Sequence, residues 1–299
     1  MSEFALQNDI DIQFIDWLKS HGATFPKLIW PALNEAGVKG GIARETIESD
    51  EVMMNIPIQC MITPEAAFAD KVVGPILKQH ERLLYGDLLL TVYIMHEHLK
   101  GDRSFYYPFL RTLPTPDTVT MWPDQMLYRM EDDAVTLKVK QKQAFLQRVY
   151  ARFITHICRE HPDEMPLKQY TYELYLFAWG VIQSRAFGKR LPWTALVPFA
   201  DCLNHSNVQT KYDYNVDGNG VFRLYPTGGN RYPVGTEAFN SYGRRPNANL
   251  LVDFGFALLL NEWDSVSSTS PCIYASLPVC HPLAIYTMLC CSVVCFVML

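Results

Sequence analysis

The order of hydrophobic periodicities along the chain constrains its fold more than any other feature. Short strand-like runs come first, at 40–43 and 51–57, and are bounded by glycine and proline. Helical spacing of apolar residues then continues over roughly 90 residues, after which short strands return from Leu196 onward. A single α+β domain, in which a helical insertion at about 76–185 interrupts a β-strand core, accounts for this order. Two consecutive domains are the alternative.

The same periodicities place the individual elements. Apolar residues recurring at intervals of three and four predict helices at 14–21, 76–99, 137–158 and 170–184. Short apolar runs between glycine and proline residues predict further strands at 196–200, 211–216, 220–226 and 236–243. The polar residues that follow 196–200 therefore lie at the end of a predicted strand, where binding residues are often found.

Composition and charge limit the classes of function. Of the 299 residues, 49% are hydrophobic and 19% are charged, which is typical of a globular protein and not of a disordered one. The formal net charge of -5 provides no basic surface of the kind that binds nucleic acid, so we expect no nucleic-acid partner. A mildly acidic surface would attract a basic peptide, which is compatible with a protein substrate.

The N-terminus and the cysteines bear on location and on metals. No basic stretch followed by an apolar run opens the chain, so we predict no secretory signal and expect a cytoplasmic or nuclear protein with reduced thiols. Cys60, Cys158 and Cys202 are isolated, and His205 has no second histidine or cysteine at ligand spacing. We therefore expect no bound metal.

Three short polar segments carry the candidate functional residues. Asp201, Asn204 and His205 follow the apolar run LVPFA, Tyr242 precedes a glycine, and Arg185 closes an aromatic helix. Taken singly, each has a structural explanation. Asparagine and aspartate bond their own backbone in turns, a buried tyrosine bonds a carbonyl, and a lone arginine is usually solvated. The residues alone therefore favour structural roles over binding ones.

Taken together, the segments around these residues resemble the SET-domain protein methyltransferases. The segments are, in order, SRAF at 184–187, ADCLNHS at 200–206, FNSYG at 239–243 and LLVDFGF at 250–256. The likeness is to the branch with a long helical insertion, which includes the Rubisco large-subunit lysine methyltransferase and the actin histidine methyltransferase. Two segments of the first half, KGGIARETIESDEVMMNIP and SFYYPFLRTLP, are similar to that branch as well. The resemblance implies a SET domain over 14–260, with a SET-type β-strand core.

The resemblance also implies a cofactor, a substrate and a set of site residues. The cofactor is S-adenosyl-L-methionine, and the reaction is methylation of a side-chain nitrogen of a non-histone protein, with lysine as the expected target. By this resemblance the cofactor-binding residues are Gly37, Val38, Lys39, Gly40, Arg185, Asn204 and His205. The substrate-binding residues are Arg185, Phe187, Asp201, Tyr242 and Phe254, among which Tyr242 is the catalytic tyrosine. We expect the protein to act as a monomer.

Two points leave the activity open. Many members of that branch have a tyrosine where this chain has Phe254, and the missing hydroxyl leaves undecided both the number of methyl groups and the choice of lysine over histidine. A SET-fold adaptor that binds a protein partner with impaired catalysis is the alternative function. The presence of Asn204, His205 and Tyr242 favours the enzyme.

The C-terminal segment departs from the resemblance. No Asp, Glu, Lys or Arg follows Asp264, and five of the eight cysteines lie between Cys272 and Cys295. The last 17 residues carry no charge, a run just short of the ~18–20 apolar residues that span a bilayer. We interpret 265–299 as an apolar tail outside the folded domain, in place of the C-terminal substrate-binding lobe of that branch. A truncated reading frame is the favoured explanation, with a membrane anchor or a buried helix as alternatives.

Overall fold

The computed structural model describes residues 8–34 and 37–265. In these residues the strands are β1 (Leu28–Leu33), β2 (Lys39–Ala43), β3 (Met54–Pro57), β4 (Thr210–Tyr214), β5 (Val221–Pro226) and β6 (Glu237–Ala238). The α-helices are α1 (Asp9–Ser20), α2 (Pro64–Ala69), α3 (Gly74–Gln79), α4 (Leu88–Lys100), α5 (Tyr107–Leu110), α6 (Asp124–Leu127), α7 (Asp133–Val149), α8 (Thr155–Glu160), α9 (Tyr172–Arg185) and α10 (Asn247–Phe254).

The described residues fall into two compact units. The first is formed by the residues up to Pro116 together with Leu146–Arg244, and the second by Asp117–Phe145 together with the residues from Arg245 onward. Each unit is discontinuous in sequence and has its own apolar core. The single domain at 14–260 and its insertion at about 76–185 remain predictions.

Both sheets lie in the first unit and are antiparallel. One has the strand order β1-β2-β6, and in it Gly41 is opposite Ala238 and Ile42 is opposite Glu237. The other has the order β3-β5-β4. Every second residue of β5 is buried, because one face of this sheet covers the core. Strands β2 to β5 occupy the segments predicted as strands, with shorter bounds at 51–57 and 211–216.

The first helix and the aromatic helix are confirmed. The first begins earlier than the predicted 14–21, because the Asn8 side chain accepts the backbone N–H of Asp11 and caps α1. In α9 the hydroxyl of Thr171 accepts the N–H of Leu174 in the same way. A capping side chain thus fixes the start of both α1 and α9.

The helical insertion differs from its prediction at two points. The helix predicted at 76–99 is instead two helices, because the chain turns after His80 and Gly86 takes a left-handed φ of 59°. The helix predicted at 137–158 is longer and contains a turn of π-helix at Tyr150–Ile154, between α7 and α8.

The strand predicted at 196–200 is wrong, and this correction bears on the site. Ala195 and Leu196 make single backbone bridges, and the regular pairing of a strand does not continue. Phe199 then takes a left-handed φ of 75°, and Ala200–Cys202 form a turn of 3-10 helix. The polar segment therefore follows a tight turn instead of a strand end. The prediction also missed β1, whose run LIWPAL contains a proline.

The core of the first unit is rich in fully buried aromatic side chains. These are Phe14, Phe109, Tyr170, Tyr175, Phe199 and Phe222. In the second unit a smaller cluster of buried side chains is formed by Val119, Leu127, Val139 and Val252. Within 8–34 and 37–265, no helix is long and apolar enough to cross a membrane. The predictions about the C-terminal tail concern residues 265–299. All of these residues except Ser265 lie outside the part of the chain that the structure describes.

Candidate active site

The turn before the polar segment is held by aromatic packing. The ring of Phe199 is fully buried and stacks on that of Phe25, with centroids 3.8 Å apart. A left-handed backbone is costly for a bulky residue, so this stack and its surroundings must stabilise it. The next residues, Ala200–Cys202, form a turn of 3-10 helix in which Ala200 and Asp201 are buried.

Asp201 and Arg185 form a largely buried ion pair. The guanidinium of Arg185, the last residue of α9, donates to the Asp201 carboxylate at 3.1 Å and to its backbone carbonyl at 3.2 Å. The Asp201 side chain is fully buried, whereas 24% of the Arg185 side chain is exposed. Burial raises the pKa of the Asp201 carboxyl, and the attraction of Arg185 opposes that rise. The two charges therefore offset one another in the core.

Asn204 joins the polar segment to the β1-β2-β6 sheet. Its amide nitrogen donates to the carbonyl of Lys39 at 3.1 Å and to the carboxylate of Glu237 at 2.7 Å. Because both partners only accept, the NH2 group must face them, and Oδ1 of Asn204 remains the acceptor of the side chain. Gly40 permits this approach, since a Cβ there would lie 2.8 Å from Asn204 Nδ2 and would also meet the Glu237 carboxylate.

His205 joins the polar segment to the one that contains Tyr242. The backbone N–H of Asn240 donates to the carbonyl of Asn204 at 2.8 Å, and His205 pairs with Asn240 in a parallel bridge. The backbone N–H of Tyr242 then donates to Nδ1 of His205 at 3.1 Å. Because Nδ1 accepts this bond, the neutral imidazole carries its proton on Nε2. The two rings stack with centroids 5.0 Å apart.

The hydroxyl of Tyr242 is directed back to the polar segment. It donates to the backbone carbonyl of Leu203 at 2.9 Å. Burial raises the pKa of the Tyr242 phenol well above its usual range. The positive charge of Arg185 lowers this pKa, and the negative charge of Asp201 raises it, both by less than burial does. The phenol is therefore neutral at physiological pH, and its oxygen keeps its lone pairs while its hydrogen is donated to Leu203.

The glycine-containing turn before β2 contributes mainly backbone. Gly37 takes a left-handed φ of 74° and donates to the carbonyl of Asn34, while Val38 is exposed and donates to the Asn34 side chain. The ammonium of Lys39 pairs with the buried carboxylate of Asp11 at 2.8 Å. The side chain of Lys39 is thus engaged with α1, and its carbonyl is the group that contacts Asn204.

Two further predicted substrate-binding residues make contacts through their aromatic rings. The ring of Phe187 packs in the core against Tyr212 and Phe222, with centroids 5.4 and 5.3 Å away. Phe254 ends α10 in the second unit, where the guanidinium of Arg245 lies 5.3 Å from its ring centroid. The structure thus connects Lys39, Gly40, Asn204, His205 and Tyr242 by direct contacts in the first unit.

Three residues of this site were not predicted. Glu237 accepts from Asn204, Leu203 accepts from the Tyr242 hydroxyl, and the Asn240 carbonyl lies 3.3 Å from His205 Nδ1. Each stands inside or beside a segment that carries the resemblance, which is a weak signal in the sequence. The backbone carbonyls and the Glu237 carboxylate make the site rich in acceptors, and the charge of Arg185 is already offset by Asp201. Such a set of acceptor groups fits a positively charged ligand.

The curated proteins that the chain resembles are named actin-histidine N-methyltransferase. The protein of Mus musculus is 27% identical over 266 residues, which cover 81% of this chain and 44% of that protein. The protein of Canis lupus familiaris is 29% identical over 272 residues, with the same coverage. The chain thus spans less than half the length of these curated relatives. No protein-family model matches the chain.

Solved structures establish the fold. A crystal structure of the SET domain of LSMT bound to lysine and AdoHcy aligns with a TM-score of 0.70 at 20% identity, covering 84% of this chain and 57% of that chain. A structure of Rubisco LSMT bound to sinefungin and monomethyllysine aligns with a TM-score of 0.71 at 22% identity and the same coverage. The chain has the SET-domain fold, and both the α+β class and the resemblance to this branch are confirmed.

Proposed function

We propose that this chain, which has the SET-domain fold, transfers a methyl group from S-adenosylmethionine to a side-chain nitrogen of a non-histone protein. The observation that carries the proposal is the network of Asn204, His205 and Tyr242, which joins two distant segments to the start of β2. The names of the curated relatives and the ligands of the solved structures support it.

The acceptor groups of the first unit fit the cofactor. S-adenosylmethionine carries an ammonium and a sulfonium. Acceptor oxygens stabilise these two positive groups, whereas an unpaired cation beside them would repel them. We assign Oδ1 of Asn204, Glu237 and the backbone carbonyls around His205 to hold it, because both N–H groups of the Asn204 amide are used within the protein. When bound, the cofactor supplies an electrophilic methyl group.

The role proposed for Tyr242 is electrostatic. Its phenol stays protonated and gives its hydrogen to Leu203, so the oxygen retains lone pairs that can stabilise partial positive charge on a methyl group in transfer. Alignment of the nitrogen with that methyl provides the larger part of the rate, up to ~7–11 kcal/mol. Desolvation of an incoming amine lowers its pKa and favours the neutral, nucleophilic form.

Lysine is the target that we propose, and histidine is the second candidate. The first follows from the resemblance to the lysine-methylating branch, and solved structures of that fold hold lysine and monomethyllysine. The second rests on the curated relatives, which are named for actin histidine. Labelling a cell lysate with isotopic cofactor and locating the added mass by peptide mass spectrometry distinguishes the two.

The cofactor assignment has a direct test. Replacing Asn204 by Ala leaves the Glu237 carboxylate and the Lys39 carbonyl without their donor and removes Oδ1, so affinity for S-adenosylhomocysteine should fall by about 1–3 kcal/mol. Titration calorimetry measures the change. Asn55→Ala is the matched control and should leave this affinity unchanged. Asn55 lies in β3, and its side-chain amide donates to the hydroxyl of Thr24.

The outcomes separate the enzyme from the adaptor. Cofactor binding that depends on Asn204, together with labelling of a lysate protein, supports the enzyme. Absence of cofactor binding by the folded wild-type chain supports the adaptor. Binding that survives Asn204→Ala undiminished refutes the assignment of Asn204.

A further inference from the structure

A cluster of histidines in the first unit takes no part in the proposed methyl transfer. His80 follows α3, His156 and Glu160 are one turn apart on α8, and His161 follows that helix. The Nε2 atom of His80 lies 3.1 Å from Nε2 of His161 and 3.3 Å from Oε2 of Glu160. The other carboxylate oxygen of Glu160 lies 3.4 Å from Nε2 of His156.

Simple hydrogen bonds account poorly for these contacts. A neutral imidazole nitrogen has either one N–H or one lone pair, so Nε2 of His80 bonds well to one of its two partners at a time. The imidazole of His80 is also buried, where a polar contact left without a hydrogen bond is costly. Three convergent ligand atoms therefore share a space that one hydrogen bond does not explain.

A divalent cation would satisfy all three atoms at once. Zinc binds histidine nitrogen and carboxylate oxygen at ~2.0–2.2 Å in tetrahedral geometry, which places neighbouring ligand atoms about 3.3 Å apart. The 3.1 and 3.3 Å separations around His80 Nε2 match that spacing, and the ligand atoms of the three residues all lie within 4.8 Å of one another. Two imidazoles and one carboxylate are a ligand set that suits zinc.

We propose that His80, Glu160 and His161 form a binding site for a zinc-type divalent cation. His156 holds the second oxygen of Glu160, as outer partners of metal ligands commonly do, and a water completes the coordination. The cation would link the end of α3 to the end of α8, so its role would be to stabilise the first unit. This inference does not depend on the proposed methyl transfer. It also revises the expectation of no metal, which considered His205 and the cysteines alone.

The test uses the full chain, with Zn²⁺ alone as the probe. Thiolates also bind zinc, and five cysteines lie at 272–295, so accessible thiols are first alkylated in every sample. After treatment with a chelator and dialysis, calorimetry and elemental analysis measure affinity and stoichiometry. We expect one Zn²⁺ per chain, binding weakened by at least ~10-fold in His80→Gln and His161→Gln, and a smaller loss in His156→Gln.

A control histidine and a folding check make the result decisive. His98→Gln should bind Zn²⁺ like the wild type, because His98 is an exposed residue of α4 whose ring contacts Phe177. Circular dichroism verifies the fold, and if His80→Gln fails to fold, the half-buried His161 provides the deciding variant. The proposal is overturned if the folded wild type binds no Zn²⁺ after alkylation. Equal binding by the wild type and His161→Gln would also overturn it, since the cluster would then be only hydrogen bonded.

Discussion

The backbone N–H of Tyr242 is held by the side chain of His205, at 3.1 Å and 37 residues away in sequence. The two rings also stack, with an angle of 19° between their planes. This hydrogen bond depends on the residue type at 205, because its acceptor Nδ1 belongs to a side chain. The side chain of His205 therefore contacts Tyr242 in two ways, through its acceptor atom and through its ring.

Replacing His205 by Phe should separate the stacking from the hydrogen bond. The phenyl ring keeps the stack but removes the acceptor, so the N–H of Tyr242 loses its partner in a largely buried site. We expect the free energy of unfolding to fall by about 1–3 kcal/mol. Urea denaturation followed by fluorescence measures this loss, and methyl-transfer assays should show a parallel loss of rate.

His205→Asn is the matched variant. The Oδ1 of asparagine stands close to where Nδ1 of histidine does, so it can accept the same N–H while losing the stack. Asparagine should therefore be less damaging than phenylalanine to methyl transfer. The reverse order would mean that the ring stack, and not the acceptor, positions Tyr242.

Gly40 provides a steric test of the same network. A methyl group in Gly40→Ala would meet the Glu237 carboxylate and the Asn204 amide, so both must move and their hydrogen bond must weaken. We expect at least ~10-fold weaker binding of S-adenosylhomocysteine, since about 1.4 kcal/mol corresponds to tenfold. Gly188→Ala is the control, because the nearest atom to its added Cβ is Thr194 Oγ1 at 3.5 Å, an ordinary contact. Equal affinities of the two variants would refute the role given to Gly40.

The parts of the site that sequence could predict are those with local signals. The resemblance pointed to Asn204, His205 and Tyr242, and the structure brings all three into one hydrogen-bonded network. Helices such as α9 were predictable from the spacing of apolar residues.

The remaining parts depend on contacts between distant residues. Phe199 has a strong preference for extended backbone, so LVPFA was predicted to be a strand, yet packing on Phe25 holds it in a left-handed turn. The partnership of Asn204 with Glu237 follows from the register of β2 and β6, which no local pattern specifies. Tertiary packing thus determines the turn at Phe199 and the contact of Asn204 with Glu237, which local propensity does not specify.

The buried ion pair gives a prediction about stability. Asp201→Asn removes the charge that compensates Arg185, and the guanidinium remains largely buried beside a neutral amide. We expect a loss of about 3–5 kcal/mol in the free energy of unfolding. Asp50→Asn makes the same chemical change in an exposed pair with Lys211 and should cost less than about 1 kcal/mol. Similar losses in the two variants, measured by urea denaturation, would mean that Arg185 finds another partner.

Tyr242→Phe tests the neutral phenol. The change removes one hydroxyl and its bond to the Leu203 carbonyl while keeping the ring on His205. We expect about 1 kcal/mol less stability at neutral pH, little change in affinity for S-adenosylhomocysteine, and a loss of methyl-transfer rate of about 10-fold or more. If the rate survives intact, the phenol oxygen does not stabilise the methyl group in transfer.

The pH dependence of stability distinguishes a buried neutral phenol from an exposed one. Because burial raises the pKa of Tyr242 in the folded state above the usual value of about 10, folding favours the protonated phenol. Its contribution is therefore fully present below about pH 10, where the unfolded phenol is also protonated, and is lost as the pH rises further. Other buried tyrosines titrate in the same range, so the informative quantity is the difference between wild type and Tyr242→Phe. That difference should shrink between about pH 9 and pH 11 in urea unfolding experiments, as the unfolded phenol of the wild type ionises. A difference that stays constant or widens over this range would show that the phenol ionises at least as readily in the folded protein as in the unfolded chain.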